Sequence, residues 1–204
     1  MSRPPLALVE TAFLASATAV MFFINNNFPI LLVRNLYPLP VVLVWLRWGG
    51  RSAVIAVTVA TLLVMVLMGP VRSTQYLILF GGLGLLLGYL WQRGVRWGMS
   101  LALSTGLMVL GTAVELILLS LLFGENIWSY SVVQATGFVN WLLQQVGSLE
   151  QADLLVVELV AVGGVILRNL IYVTISHVLA WLIFDRLQIA IPAPPKWLAN
   201  FLEL

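Results

Sequence analysis

The chain has 204 residues, 61% of them hydrophobic and only 9% charged, with 10 basic side chains against 8 acidic ones and a formal net charge of +2. Such a composition excludes a water-soluble domain, which needs far more polar residues to coat its outside. The absence of cysteine excludes a disulfide framework and a thiolate metal site, and no nucleic-acid partner is expected.

The apolar runs are as long as a bilayer is thick, roughly 20 residues for about 30 Å. In lipid every backbone polar group must be satisfied within a helix or a closed barrel, so long unalternating runs predict helices. The expected fold class is an all-α integral membrane protein, a single polytopic membrane domain over residues 1–204 with six transmembrane helices.

The first expected span, 7–24, follows a short leader holding Arg3. A lone arginine and the run Asn25, Asn26, Asn27 make a poor secretory signal, so this span is expected to stay as a helix. Thr11, Ala15 and Ala19 recur every four residues beside Ala12 and Ser16. They form a flat face that lets another helix approach closely, either from this chain or from a partner subunit. The second span, 28–48, carries Arg34, Asn35, Pro38 and Pro40 in its first half and should begin as irregular or kinked chain. The third, 53–68, ends at Gly69 and Pro70; the fourth, 76–91, holds Gly81, Gly82, Gly84 and Gly88, which predict close helix packing.

The fifth span is 99–123. In the connection that follows, Val132, Val133, Phe138, Val139, Trp141, Leu142, Leu143 and Val146 are interrupted by Gln134, Asn140, Gln144 and Gln145. This predicts an external amphipathic helix over about 128–147, lying on the outer face or capping a cavity. The sixth span, 154–184, is longer than the hydrocarbon requires and should tilt or project.

Loops rich in lysine and arginine stay cytoplasmic. Six spans with both termini inside place Arg3, Arg47, Arg51, Arg93, Arg96, Arg186 and Lys196 in the cytoplasm and leave Arg34 and Arg72 outside. The connection 124–153 has Glu125, Glu150 and Asp153 but no basic residue, which fits an external place. Trp45, Trp48, Trp91, Trp97 and Trp181 fall near the expected cytoplasmic ends, where indole rings prefer to sit.

Ionisable groups in lipid cost about 2.5–3.5 kcal/mol each and mark the places to look for chemistry. Glu115 lies about 12 Å inside the fifth span and Arg168 is comparably deep in the sixth, where the two could neutralise each other. On the sixth span Glu158, Asn169, Tyr172 and Ser176 share one stripe with Arg168 at its edge. Such a stripe could line a cavity open to the outside, with Arg168 fixing a carboxylate or phosphate. The candidate ligand-binding residues are therefore Glu115, Arg168, Asn169, Tyr172 and Glu158. His177 is expected to bond a neighbouring helix, and no set of metal ligands surrounds it in the sequence. No zinc-protease, nucleophile-elbow or phosphate-loop signature occurs, so an enzyme, a catalytic residue and a cofactor are not expected.

The stretch LPVVLVWLRWGGRSAVIAVTVATLLVMVLMGP followed by GGLGLLLGYLWQRG, with the alanine face on the first helix, resembles the YybS-like bacterial membrane proteins and the S components of energy-coupling factor vitamin transporters. The resemblance implies an S-component-like bundle in the bacterial cytoplasmic membrane, with Ala15 and Ala19 docking on a coupling membrane subunit. It also implies separate ATP-binding subunits and a ligand pocket near the outer side around Glu115, Arg168 and Asn169.

Two functions follow as expectations. In one the chain captures a small anionic or vitamin-like molecule outside and topples against the coupling subunit, without covalent chemistry of its own. In the other it is a scaffold or assembly factor for another membrane complex, in which case Glu115 and Arg168 would close into a dry pair rather than face a cavity of ligand size.

Overall fold

A computed structural model describes residues 4–145 and 153–195, and its regular elements are all helices. The parts of the sequence reading that rest on Arg3, Val146, Glu150 and Lys196 fall outside the described residues.

Four long helices are uninterrupted: α1 (Pro4–Asn27), α4 (Gly50–Met68), α7 (Trp97–Phe123) and α9 (Leu154–Arg186). A fifth rod, Pro70–Gln92, is assembled from α5 (Pro70–Gln75), a π-helical turn (Tyr76–Gly81) and α6 (Gly82–Gln92). These five are long and apolar enough to cross a membrane; even the shortest, 19 residues, spans about 28 Å. The fourth expected span thus starts six residues earlier than the hydropathy run suggested, because Pro70 at the head of α5 is tolerated in a first turn.

The second expected span is not one helix. It divides into α2 (Leu31–Leu36) and α3 (Leu39–Trp48), of 6 and 10 residues. The cause is local: Pro38 and Pro40 bring no N–H to the i→i−4 ladder, so the helix cannot run through them unbroken. Gly49 and Gly69 stand between successive helices with φ near +85° and ψ near 175°, a conformation that side chains exclude.

α1 makes its broadest contact with α4. Ala15 and Ala19 are buried in one core with Ala53, Ala56 and Ala60, so small side chains on both helices allow the approach. The alanine face expected to meet either a partner or the same chain is in large part taken up within the chain. Only Ala12 and Ser16 remain exposed on it. α6 sets Gly84 and Gly88 against α3: a Cβ on Gly84 would lie 2.8 Å from Val41 Cβ, and one on Gly88 2.5 Å from Trp45 Cβ. The rod Pro70–Gln92 is the most enclosed of the five, while α7 and α9 turn most of their apolar residues outward. Val66, Leu121, Phe13 and Leu110 are each at least two-thirds exposed, an outward apolar surface that hydrocarbon solvates and water does not.

The last described connection element is α8 (Trp128–Gln145), which buries Ala135 and Val139 against Val157 and Ala161 of α9. The expected segment is thus helical over Trp128–Gln145 and packs along the first turns of α9, while Val133, Phe138, Trp141 and Leu142 stay exposed.

One end of the bundle gathers the basic residues. Arg47 pairs with Glu10, whose other oxygen accepts the Trp48 indole N–H at 3.0 Å. Trp45 donates to Gln92 at 2.8 Å, and Trp97 donates to the carbonyl of Pro192 at 2.7 Å. These bonds bring the ends of α3 and α6, the start of α7 and the chain after α9 to the same level. Nearby, the fully buried His177 donates from Nδ1 to the Val173 carbonyl at 2.8 Å, an assignment forced by an acceptor that has no proton to give. Its Nε2 then accepts from Ser100 Oγ at 2.9 Å, and Ser100 accepts the Trp91 indole N–H at 3.2 Å. The histidine bonds a neighbouring helix, as its sequence position suggested.

Candidate functional site

The opposite end holds Arg34 and Arg72 beside a cavity. Pro38 cannot donate to the carbonyl of Arg34, four residues back, so the break in the second segment frees an acceptor. The hydroxyl of Tyr172, from α9, donates to that carbonyl at 3.0 Å. Similarly, Thr18 of α1 donates to the carbonyl of Tyr37 at 2.7 Å. Two side chains from distant helices thus fix the broken segment. Below them Phe22, Tyr37, Tyr76, Phe80 and Tyr172 form a continuous aromatic cluster, with neighbouring ring centroids 4.9–5.9 Å apart.

Tyr172→Phe is expected to keep the ring contacts and lose only the bond to Arg34. The carbonyl keeps a long contact from the Tyr37 backbone N–H at 3.5 Å, so the loss is that of one net hydrogen bond, about 0.5–1.5 kcal/mol. Thermal unfolding of the purified protein should show this loss, and an unchanged midpoint would mean that the Arg34 carbonyl finds another donor.

On this aromatic floor stands a cavity of about 280 Å³, whose walls include Asn25, Asn26, Arg34, Tyr37, Arg72 and Gln75. Asn25 also shapes the rim, since its Oδ1 accepts the backbone N–H of Ile30 at 2.7 Å. Arg34 lies over the Tyr172 ring, 5.8 Å from its centroid. Arg72 donates to Gln75 Oε1 at 3.0 Å, and Gln75 in turn donates from Nε2 to Glu115 Oε1 at 2.7 Å. Among the described residues neither Arg34 nor Arg72 has a carboxylate within salt-bridge distance; the ion pair found there is Arg47 with Glu10, at the other end.

Glu115 is half-buried and bonded through Gln75; among the described residues it forms no ion pair with Arg168. The mutual neutralisation that their depths suggested is therefore replaced by an amide bridge. Arg168 is exposed in a groove of about 480 Å³ between α8 and α9, beside Ser131 and Gln134, though it stays within Coulombic range of Glu115 and Arg34. Asn169 is buried and donates to Thr112 Oγ1 at 3.3 Å and to the Val165 carbonyl at 3.0 Å, so it joins α9 to α7. Tyr172 is buried beneath Arg34, and Glu158 is exposed near the start of α9. The stripe on α9 thus divides between a helix interface, a groove and the outer surface instead of lining one cavity.

Arg34, Arg72 and Gln75 were not singled out as ligand-binding residues in the sequence, where Arg34 read as part of the irregular first half of the second span and Arg72 as a residue on the outer side. Two signals were present. Arg34 stands four residues before Pro38, which marks a freed carbonyl, and Arg72 and Gln75 are three apart on one helical face. Among the described residues no group of three His, Asp or Glu side chains could hold a metal ion.

Five apolar crossing helices and a cavity lined by arginine at one end define a multi-pass helical membrane protein. The chain belongs to the family described as "Predicted membrane protein (DUF2232)", whose sequence model matches residues 16–199. No curated protein and no solved structure matches it.

Proposed function

We propose that this chain is the substrate-binding membrane subunit of an uptake system for a small anionic molecule, energised by separate ATP-hydrolysing subunits through a coupling membrane subunit. The observation that carries the reading is the cavity holding Arg34 and Arg72, neither with a paired carboxylate among the described residues. Guanidinium groups form bidentate bonds with carboxylate and phosphate, and two of them on an aromatic floor make a receptor for such a group. Glu115, reached through Gln75, balances part of the charge while the site is empty.

Six passes with both ends of the chain inside fit this reading. Arg47, Arg51, Arg93, Arg96 and Arg186 then face the cytoplasm of a bacterial cell, and the broken α2 and α3 complete the second pass. The cavity faces outward. The likeness to S components supports the same arrangement, with one change: Ala15 and Ala19 are covered by α4, so docking through α1 uses Ala12, Ser16 and the exposed Val9 and Phe13.

Gentle extraction of a tagged chain from its native membrane, with mass spectrometry of what travels with it, tests the proposal. Co-purification of ATP-binding subunits with a second membrane protein is the expected result. Recovery of an unrelated membrane complex without such subunits would point instead to the scaffold reading, and the function would have to be withdrawn.

A further inference from the structure

Beside the arginine cavity runs a second space, a cleft of about 250 Å³ between α5 with the π turn and α7. Val71, Ile78, Leu118, Leu119 and Leu122 give it almost wholly apolar walls, and Glu115 lies on it as the one carboxylate among the described residues. Its lips open sideways. Leu118 is 42% and Leu122 60% exposed, on a surface that faces hydrocarbon.

Gln75 lines both spaces. Its Oε1 holds Arg72 of the cavity and its Nε2 holds Glu115 of the cleft, so one amide side chain is the partition between a cationic chamber and an apolar one. A water-soluble anion would use only the first chamber and leave the second empty. A molecule with a phosphate or carboxylate head and a hydrocarbon chain fits both: the head on Arg34 and Arg72, the chain along Leu118, Leu119 and Leu122.

We propose that the ligand of this site is an anionic single-chain amphiphile which enters laterally from the lipid, past α5 and α7, rather than from water. The inference rests on the anion-binding reading above and narrows it to a class of substrate. It also gives the Gln75 bridge a use. The amide keeps Glu115 turned toward itself, so that the carboxylate does not stand free against an incoming anionic head.

The test uses the full chain in nanodiscs of zwitterionic lipid and two probes, dodecyl phosphate and dodecyl trimethylammonium, each with a photoreactive diazirine near the chain end. The phosphate probe is expected to label the 118–122 segment of α7 at least tenfold more strongly than the ammonium probe. Arg34→Gln with Arg72→Gln, at exposed positions, should abolish that preference. Equal labelling by the two probes would overturn the proposal, since the cleft would then be ordinary lipid-facing surface. Binding of radiolabelled methyl phosphate that depends on both arginines, without head-dependent labelling of α7, would overturn it as well and leave the anion-binding reading intact. Failure of both probes to show any dependence on the arginines would remove the two together. The comparison of probes needs no variant, so a misfolded double mutant does not obscure the result.

Discussion

Gly88→Val is expected to remove most of the folded protein from the membrane. A Cβ at this position would lie 2.5 Å from both Cβ and Cγ of Trp45, the root of that side chain and not its swinging end. Trp45 is itself fixed, because its indole N–H is bonded to Gln92 on the same rod as Gly88. Relief therefore requires α3 and α6 to separate, which would also open the contact of Gly84 with Val41 one turn away. Overpacking of a close-packed interior costs about 1–3 kcal/mol, and more where the neighbour cannot yield. That is a large part of a typical folding free energy. Gly106→Val on α7 is the control, since a Cβ there meets nothing within 4 Å. Fluorescence-detected size-exclusion chromatography after mild heating should show loss of the monodisperse peak for the first variant and its retention for the second. Equal behaviour of the two would mean that α3 and α6 are not in close contact.

The second large effect concerns Arg34 and Arg72. A hydrogen bond to a charged group contributes about 1.5–3 kcal/mol, so Arg34→Ala and Arg72→Ala are each expected to weaken retention of an anionic ligand by about tenfold to a hundredfold. Neither should unfold the protein, because both side chains are exposed and neither closes a salt bridge among the described residues. Arg168→Ala is expected to act more weakly, through the field alone, because its guanidinium lies in the groove between α8 and α9. Binding of a radiolabelled anion, or of the amphiphile itself, at two salt concentrations reads these differences. The open cavity should lose affinity as salt rises. If Arg168→Ala proved the most damaging of the three, the ligand would have to be placed in that groove instead.

The membrane class and, within a few residues, the limits of α1, α4, α7 and α9 were legible in the sequence because a bilayer turns length and hydropathy directly into geometry. The close packing of the glycines in the fourth span and the helical character of the segment after the fifth were legible for the same reason: periodicity tells which residues share a face. Depth was readable too, and it put Glu115 and Arg168 at one level. What counting residues does not give is the azimuth of each helix, which depends on crossing angles set by packing. Glu115 turns toward Gln75 of α5, while Arg168 turns toward α8. The same gap hid the cavity. Arg34 and Arg72 are 38 positions apart in the chain, and only the return of α4 and the break at Pro38 bring them to the lining of one space.

The π turn at Tyr76–Gly81 lets one rod face two neighbours. There the N–H of Gly82 reaches the carbonyl of Leu77, five residues back, so the turn holds one residue more than the α-helical turn it replaces. One residue is about 100° of rotation. Without it, the half bearing Arg72 and Gln75 would be rotated by that angle relative to the half bearing Gly84 and Gly88. A single residue thus sets the phase between the polar rim and the glycine seam, and its deletion would bring one of them out of alignment with its neighbour.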